Sequence, residues 1–282
     1  MQDRRRCEPH TRFNETGYYD MMNFTDKKVG IVLSGGGAKG AYQVGMFRAL
    51  EEAGLSKKGL ILAGTSIGAL GSIVYALSGA DGLRKAIQDV GKVYTGELPL
   101  DEYFNETMPL DALAANPIPV TVCAYSQSKM RPEYFLLNHY APEEQRILTM
   151  ASCALPDIIP PVPYGGDLYS DGGIVPSEEN FANAAKQLGI TLPSSFTPAD
   201  SDKIPAIAVQ NEDIDIEIVS YLEPYDKIDD GLWNPKAMHI EARPHHMLED
   251  TAHAGTLDFS PESLEKRERE GYSETKELLE KL

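Results

Sequence analysis

The patterned part of the chain begins with a continuous apolar run, Val29-Gly30-Ile31-Val32-Leu33, of the kind that forms a strand buried on both faces. A glycine-rich turn follows. Ala41 to Ala53 then carries Tyr42, Val44, Met46, Phe47 and Leu50 at helical spacing, with Gly54 just past its end. Leu60-Ile61-Leu62-Ala63 predicts a second buried strand. Ile67 to Leu77 is apolar nearly all round, which predicts a helix in the middle of the domain. Strand, helix, strand, helix at this spacing means βαβ units with right-handed crossovers and a mainly parallel sheet.

Residues 79–118 break that rhythm with Gly, Pro and acidic residues, and predict an insertion of two or three short helices over the site. Val120 to Ala124 resumes a strand, and Tyr134 to Leu137 predicts its antiparallel or neighbouring partner. Glu143 to Ala154 reads as a helix with Pro142 in its first turn, and Leu168-Tyr169-Ser170 as a short strand entering Asp171-Gly172-Gly173. Residues 186–204 read as a surface loop, and Ile214 to Tyr221 and Ala237 to Glu241 as strands. Ser260-Pro261 starts the last helix, with Gly271 as a kink or break. The expected organisation is an N-terminal extension, 1–27, loose or partly docked, and one α/β domain over 28–282.

The net charge of −17 on 282 residues sets the chain against nucleic acid and against anionic bilayers. No run reaches the roughly 18 apolar residues of a membrane span. Arg4-Arg5-Arg6 is not followed by an apolar stretch before Lys27, so no signal peptide is expected. Three cysteines, at 7, 123 and 153, without a CxxC, predict free thiols in a reducing, cytoplasmic setting, with Cys123 and Cys153 as small core residues. No cluster at ligand spacing predicts a metal, and no cofactor is expected.

Two glycine-rich turns carry the candidate chemistry. Gly64-Thr65-Ser66-Ile67-Gly68 has the G-x-S-x-G pattern that lifts a serine hydroxyl onto a sharp strand-to-helix turn. Its plainer reading is a serine capping a buried helix. Gly35-Gly36-Gly37-Ala38-Lys39-Gly40 presents backbone N–H groups at a helix start, where negative charge is welcome. A dinucleotide site would need an acid at the end of the second strand, where Gly64-Thr65-Ser66 stands instead. A serine nucleophile needs a base. His10, His139, His239, His245, His246 and His253 occur in no motif-like turn. Asp171-Gly172-Gly173, closing a strand, is the better candidate, although Asp-Gly is also a common plain turn.

With these three motifs in this order, the chain resembles the patatin-like phospholipase family. Ala151-Ser152 through Pro156, Pro160-Pro161, and Leu257-Asp258-Phe259-Ser260 with Gly271-Tyr272 add to the likeness. The resemblance implies a three-layer α/β/α sandwich and a Ser–Asp dyad without histidine. Ser66 would be the nucleophile and Asp171 the base, with the Gly35–Gly40 loop as oxyanion hole. Many relatives have arginine where this chain has Lys39. The implied substrate is a phospholipid or other acylglycerol, met at a transient membrane or micelle surface. Leu98, Leu100, Tyr103, Phe104, Met108 and Leu110 would line an acyl channel or simply pack on the core. Two other readings stand beside this one: a Ser–His–Asp esterase using His245, His246 or His253, and a catalytically silent lipid-binding protein.

Overall fold

The fold is that of a computed structural model, which describes residues 22–192, 197–223, 226–246 and 254–282. In chain order the elements are β1 (Val29–Leu33), α1 (Ala41–Glu52), β2 (Leu60–Thr65), α2 (Ile67–Thr95), α3 (Leu100–Thr107), α4 (Leu110–Ala115), β3 (Val120–Ser126), β4 (Arg131–Leu136), α5 (Pro142–Ser152), β5 (Val162–Tyr164), β6 (Asp167–Asp171), α6 (Glu178–Leu188), β7 (Ile216–Ser220), β8 (Met238–Ala242), α7 (Ala254–Leu257) and α8 (Pro261–Glu280). The sheet runs β5-β6-β3-β2-β1-β7-β8, with β4 paired to β3. The pairs β1/β2, β1/β7, β2/β3 and β7/β8 are parallel, while β3/β4, β3/β6 and β5/β6 are antiparallel. This is an α/β fold with a mixed, mostly parallel sheet.

The two faces of the sheet are covered unequally. Ile31, Leu33, Leu62 and Ile218 point into the main core with residues of α1, α2, α5 and α8. Val32, Ala63 and Val219 alternate to the other face, under a smaller cluster completed by Ile204, Ala206, Val209 and Ile228. Phe181 of α6 packs on Tyr125 of that second face. The third layer is therefore thin, one helix and a long irregular segment.

Several sequence expectations are corrected. Helix α2 is two helical segments meeting at Gly79, whose φ of 70° and ψ of −168° lie outside the helical range; the first segment ends there, as the sequence predicts, and the second carries on to Thr95 within the expected insertion. Residues 178–188 form helix α6, capped by the Ser177 hydroxyl, where only the later loop was expected. Gly271 neither kinks nor breaks α8. A Cβ there would collide with the Tyr42 carbonyl, and one at Gly45 with the Glu268 carbonyl. These two glycines let α1 and α8 cross backbone to backbone. Part of the expected N-terminal extension is docked: Phe24 is buried and its N–H donates to Ala53 O at 3.0 Å. Residues 1–21 of that extension lie outside the described residues. Among the described residues, no helix is long and apolar enough to cross a membrane.

Candidate active site

Strand β3 brings the two distant motifs together. Over residues 121–126 one of its edges is taken by β4. Its other edge is shared end to end by two strands. β2 pairs in parallel and finishes with Thr65 opposite Cys123; β6 pairs antiparallel and finishes with Asp171 opposite Ala124. Two strands running toward each other along one edge must meet at their ends, and Ser66 and Asp171 are the residues at that meeting point.

Ser66 is held at φ 58°, ψ −128°, a conformation that costs a non-glycine residue energy and is over-represented at functional turns. Its side chain makes no capping bond to α2, so the plain N-cap reading fails. A Cβ on Gly64 would collide with the Gly68 carbonyl, and one on Gly68 with the Leu33 carbonyl, so the turn can form only with glycine at both places. Behind the turn, the Ser66 N–H donates to Ser152 Oγ at 3.0 Å, and that hydroxyl donates to Cys123 O at 2.5 Å. The Cys153 thiol donates to Ser66 O at 3.1 Å. Thr65 Oγ1 donates to Asp202 O at 2.9 Å, and Ile67 begins α2.

Asp171 is 1% exposed. Its Oδ1 accepts the Gly173 N–H at 2.8 Å, while Oδ2 has no partner within ordinary hydrogen-bond distance among the described residues. Burial raises the carboxyl to about 6; the Ser66 hydroxyl beside it, the Gly173 N–H and the Lys203 charge pull the other way. The Ser66 hydroxyl thus stands beside the carboxyl without completing a hydrogen bond of ordinary length. A Cβ at Gly172 would collide with the Cys123 carbonyl, and Gly173 lies against Thr65 and Lys203.

The Gly35–Gly40 loop lies against the serine: a Cβ on Gly35 would stand 3.1 Å from Ser66 Cβ, and one on Gly40 2.7 Å from Ile67 Cγ1. Its members differ in what they offer. The Gly35 N–H donates to Lys203 O at 3.2 Å, and the Lys39 N–H to Gly36 O at 3.2 Å. The Lys39 side chain is buried in an ion pair with Glu223, away from the serine. The N–H groups of Gly36, Gly37 and Ala38 have no acceptor among the described residues.

An apolar cavity of about 360 Å³ opens at Ser66 and Gly37. Leu100, Tyr103 and Phe104 of α3 line it, together with Leu70, Met150 and Ile159 among others. Leu98, Met108 and Leu110 pack on the core instead. Cys153, expected as a core residue, is part of the cavity wall. Among the described histidines, His239 stacks on Trp233 and bonds Asn234 O, and His245 faces Glu274. No hydrogen bond joins His139, His239, His245 or His246 to Ser66 or Asp171. His10 and His253 lie outside the described residues. Nor do three or more His, Cys, Asp or Glu side chains among the described residues form a group that could hold a metal ion.

Residues 31–93, which span both glycine turns, match the family model described as patatin-like phospholipase. Over that segment the chain is similar to the patatin-like phospholipase family. A curated relative, lysophospholipase nte1 of Aspergillus terreus (strain NIH 2624 / FGSC A1156), is 54% identical over 50 residues, 18% of this chain and 3% of that protein. An uncharacterized NTE family protein of Mycobacterium tuberculosis (strain CDC 1551 / Oshkosh) is 28% identical over 165 residues, 53% of this chain and 27% of its own length. The chain thus spans only a small part of the length of those relatives. VipD from Legionella pneumophila aligns with a TM-score of 0.46 at 16% identity, covering 96% of this chain and 69% of its own.

Proposed function

We propose that this patatin-like protein is a serine acyl hydrolase that cleaves ester bonds of phospholipids or related acylglycerols. The observation that carries the reading is the convergence of the β2 and β6 ends, with an uncapped serine hydroxyl beside a buried carboxyl at the mouth of an apolar cavity. Asp171, ionised above about pH 6, takes the Ser66 proton as the oxygen attacks the ester carbonyl. The carbonyl oxygen, now negative, is met by the N–H groups of Gly36, Gly37 and Ala38, which have no acceptor among the described residues, at the start of a helix. The alkoxide leaves with the proton from Asp171. Water, deprotonated in turn by Asp171, then releases the acid and regenerates Ser66. Lys39 anchors the loop through Glu223 rather than contacting the substrate. The acyl chain lies in the cavity, against α3. The name lysophospholipase on several relatives supports a lipid substrate.

The test is hydrolysis of a panel of acyl esters and lysophospholipids by wild type, Ser66→Ala and Asp171→Asn, with a fluorophosphonate probe as a second readout. The reading expects a labelled Ser66 and loss of turnover in both variants. Unchanged turnover in Ser66→Ala overturns it, and retained turnover in Asp171→Asn turns the mechanism toward a histidine base.

A further inference from the structure

Asp202 and Lys203 belong to no helix or strand, yet this dipeptide bonds to all three turns of the site. The Asp202 N–H donates to Gly172 O at 2.8 Å, Thr65 Oγ1 donates to Asp202 O at 2.9 Å, and the Gly35 N–H donates to Lys203 O at 3.2 Å. The dyad turn, the serine turn and the glycine loop are thus tied to two adjacent residues. The dipeptide is itself held. Asp202 accepts the Tyr134 hydroxyl at 2.5 Å and the Ile204 N–H at 3.0 Å. Upstream, the Ala199 N–H donates to Met130 O at 2.9 Å and Ala199 O accepts the Tyr125 hydroxyl at 2.7 Å. The Lys203 stem passes over the dyad turn, where a Cβ on Gly173 would stand 3.2 Å from Lys203 Cγ.

Besides the Gly173 N–H, five side chains act on Asp171 or sense its charge. Ser66 comes from the serine turn, Tyr94 from α2, Cys123 from β3, Cys153 from the end of α5 and Lys203 from the strap. Burial raises Tyr94, Cys123 and Cys153 above their ordinary values, so they stay neutral at physiological pH. Lys203 is the cation among the described residues whose charge acts on Asp171; it also acts on Asp226.

We propose that Asp202–Lys203 is a positioning strap for the hydrolase site, its backbone registering the three turns and its ammonium supplying the counter-charge to Asp171. The inference rests on the Ser66–Asp171 reading above. Lys203 acts through Asp171 and so is a positioning residue.

The test is the pH dependence of kcat/KM on a soluble short-chain 4-nitrophenyl ester, for wild type, Lys203→Met, Lys203→Gln and Lys203→Arg, with melting temperatures alongside. Without the ammonium the carboxyl keeps its proton to higher pH, so the acid limb moves up. The expected shift is roughly half a pH unit for Met and Gln, about a threefold greater loss at pH 5 than at pH 8, with Arg restoring the wild-type limb. If Lys203→Met melts early, Lys203→Gln carries the measurement. An unmoved limb in a folded neutral variant overturns the proposal and leaves Lys203 as a partner of Asp226, with the hydrolase reading intact. Hydrolysis that survives Ser66→Ala overturns both.

Discussion

Two concavities of this protein differ in size and in the chemistry of their walls. An open groove of about 1300 Å³ lies between α1, the second half of α2 and α8. Its walls are charged, and the charges answer one another: Arg48 pairs with Asp81 and Glu268, and Arg84 binds Glu268 through two nitrogens. The cavity at Ser66 is less than a third of that size and almost wholly apolar. At its mouth stand polar groups that find few partners among the described residues: the Ser66 hydroxyl, which caps no helix, the Gly37 N–H and, behind them, Asp171 Oδ2 and the Gly36 and Ala38 N–H groups. A ligand entering the groove must displace ion pairs that already satisfy each other. A ligand entering the cavity gains apolar burial and completes bonds the protein has left open. Size therefore misdirects here, and unsatisfied chemistry directs.

Substitution can break this contrast. The largest effect belongs to Ser66→Ala, for which ester hydrolysis should fall by roughly a thousandfold or more, with fluorophosphonate labelling abolished. A groove variant equally damaging to turnover would refute the assignment. Next comes Asp171→Asn. A carboxyl raised from 3.8 to about 6 on folding favours the native state only while protonated. Its contribution is whole below pH 3.8 and is lost as pH rises through 6. Chemical denaturation should show wild type losing about 3 kcal/mol relative to Asp171→Asn across that window. Parallel curves would mean that the carboxyl is not desolvated.

Filling the cavity should have a smaller effect. Val93→Trp should cost about tenfold in kcat/KM on a long-chain ester, about 1.4 kcal/mol, while sparing an acetyl ester. Equal losses on both would place the acyl chain elsewhere. The smallest effect is expected in the groove. Arg84 is 40% exposed, so Arg84→Ala should change stability by under about 1 kcal/mol and turnover by less than twofold. Thermal melting and a standard ester assay decide it.

The first half of the molecule was readable because its signals are local. β1, α1, β2 and the start of α2 follow from apolar runs and from glycines whose backbones touch within a few residues, as Gly64 touches Gly68. Elsewhere local pattern failed. Helix resumes after Gly79 with no local signal that predicts its length, and Gly271 looks like a kink but serves a contact with Tyr42 more than two hundred residues away. Ser152 lies in a family-like segment of the sequence, yet its place behind the serine turn has no local signature. The same holds for Asp202 and Lys203, which stand in an expected surface loop and touch all three motifs.

The identities of Ser66, Asp171 and the glycine loop could be named from residue order, because sharp turns admit few residue types and the chain must spell them out. Their meeting could not. It depends on β6 entering antiparallel along the edge of β3 where β2 leaves off, a register set by burial of whole strands. The raised carboxyl of Asp171 and the cavity beside Ser66 likewise arise from packing, since only a folded interior can exclude water from a carboxyl and enclose an apolar cavity.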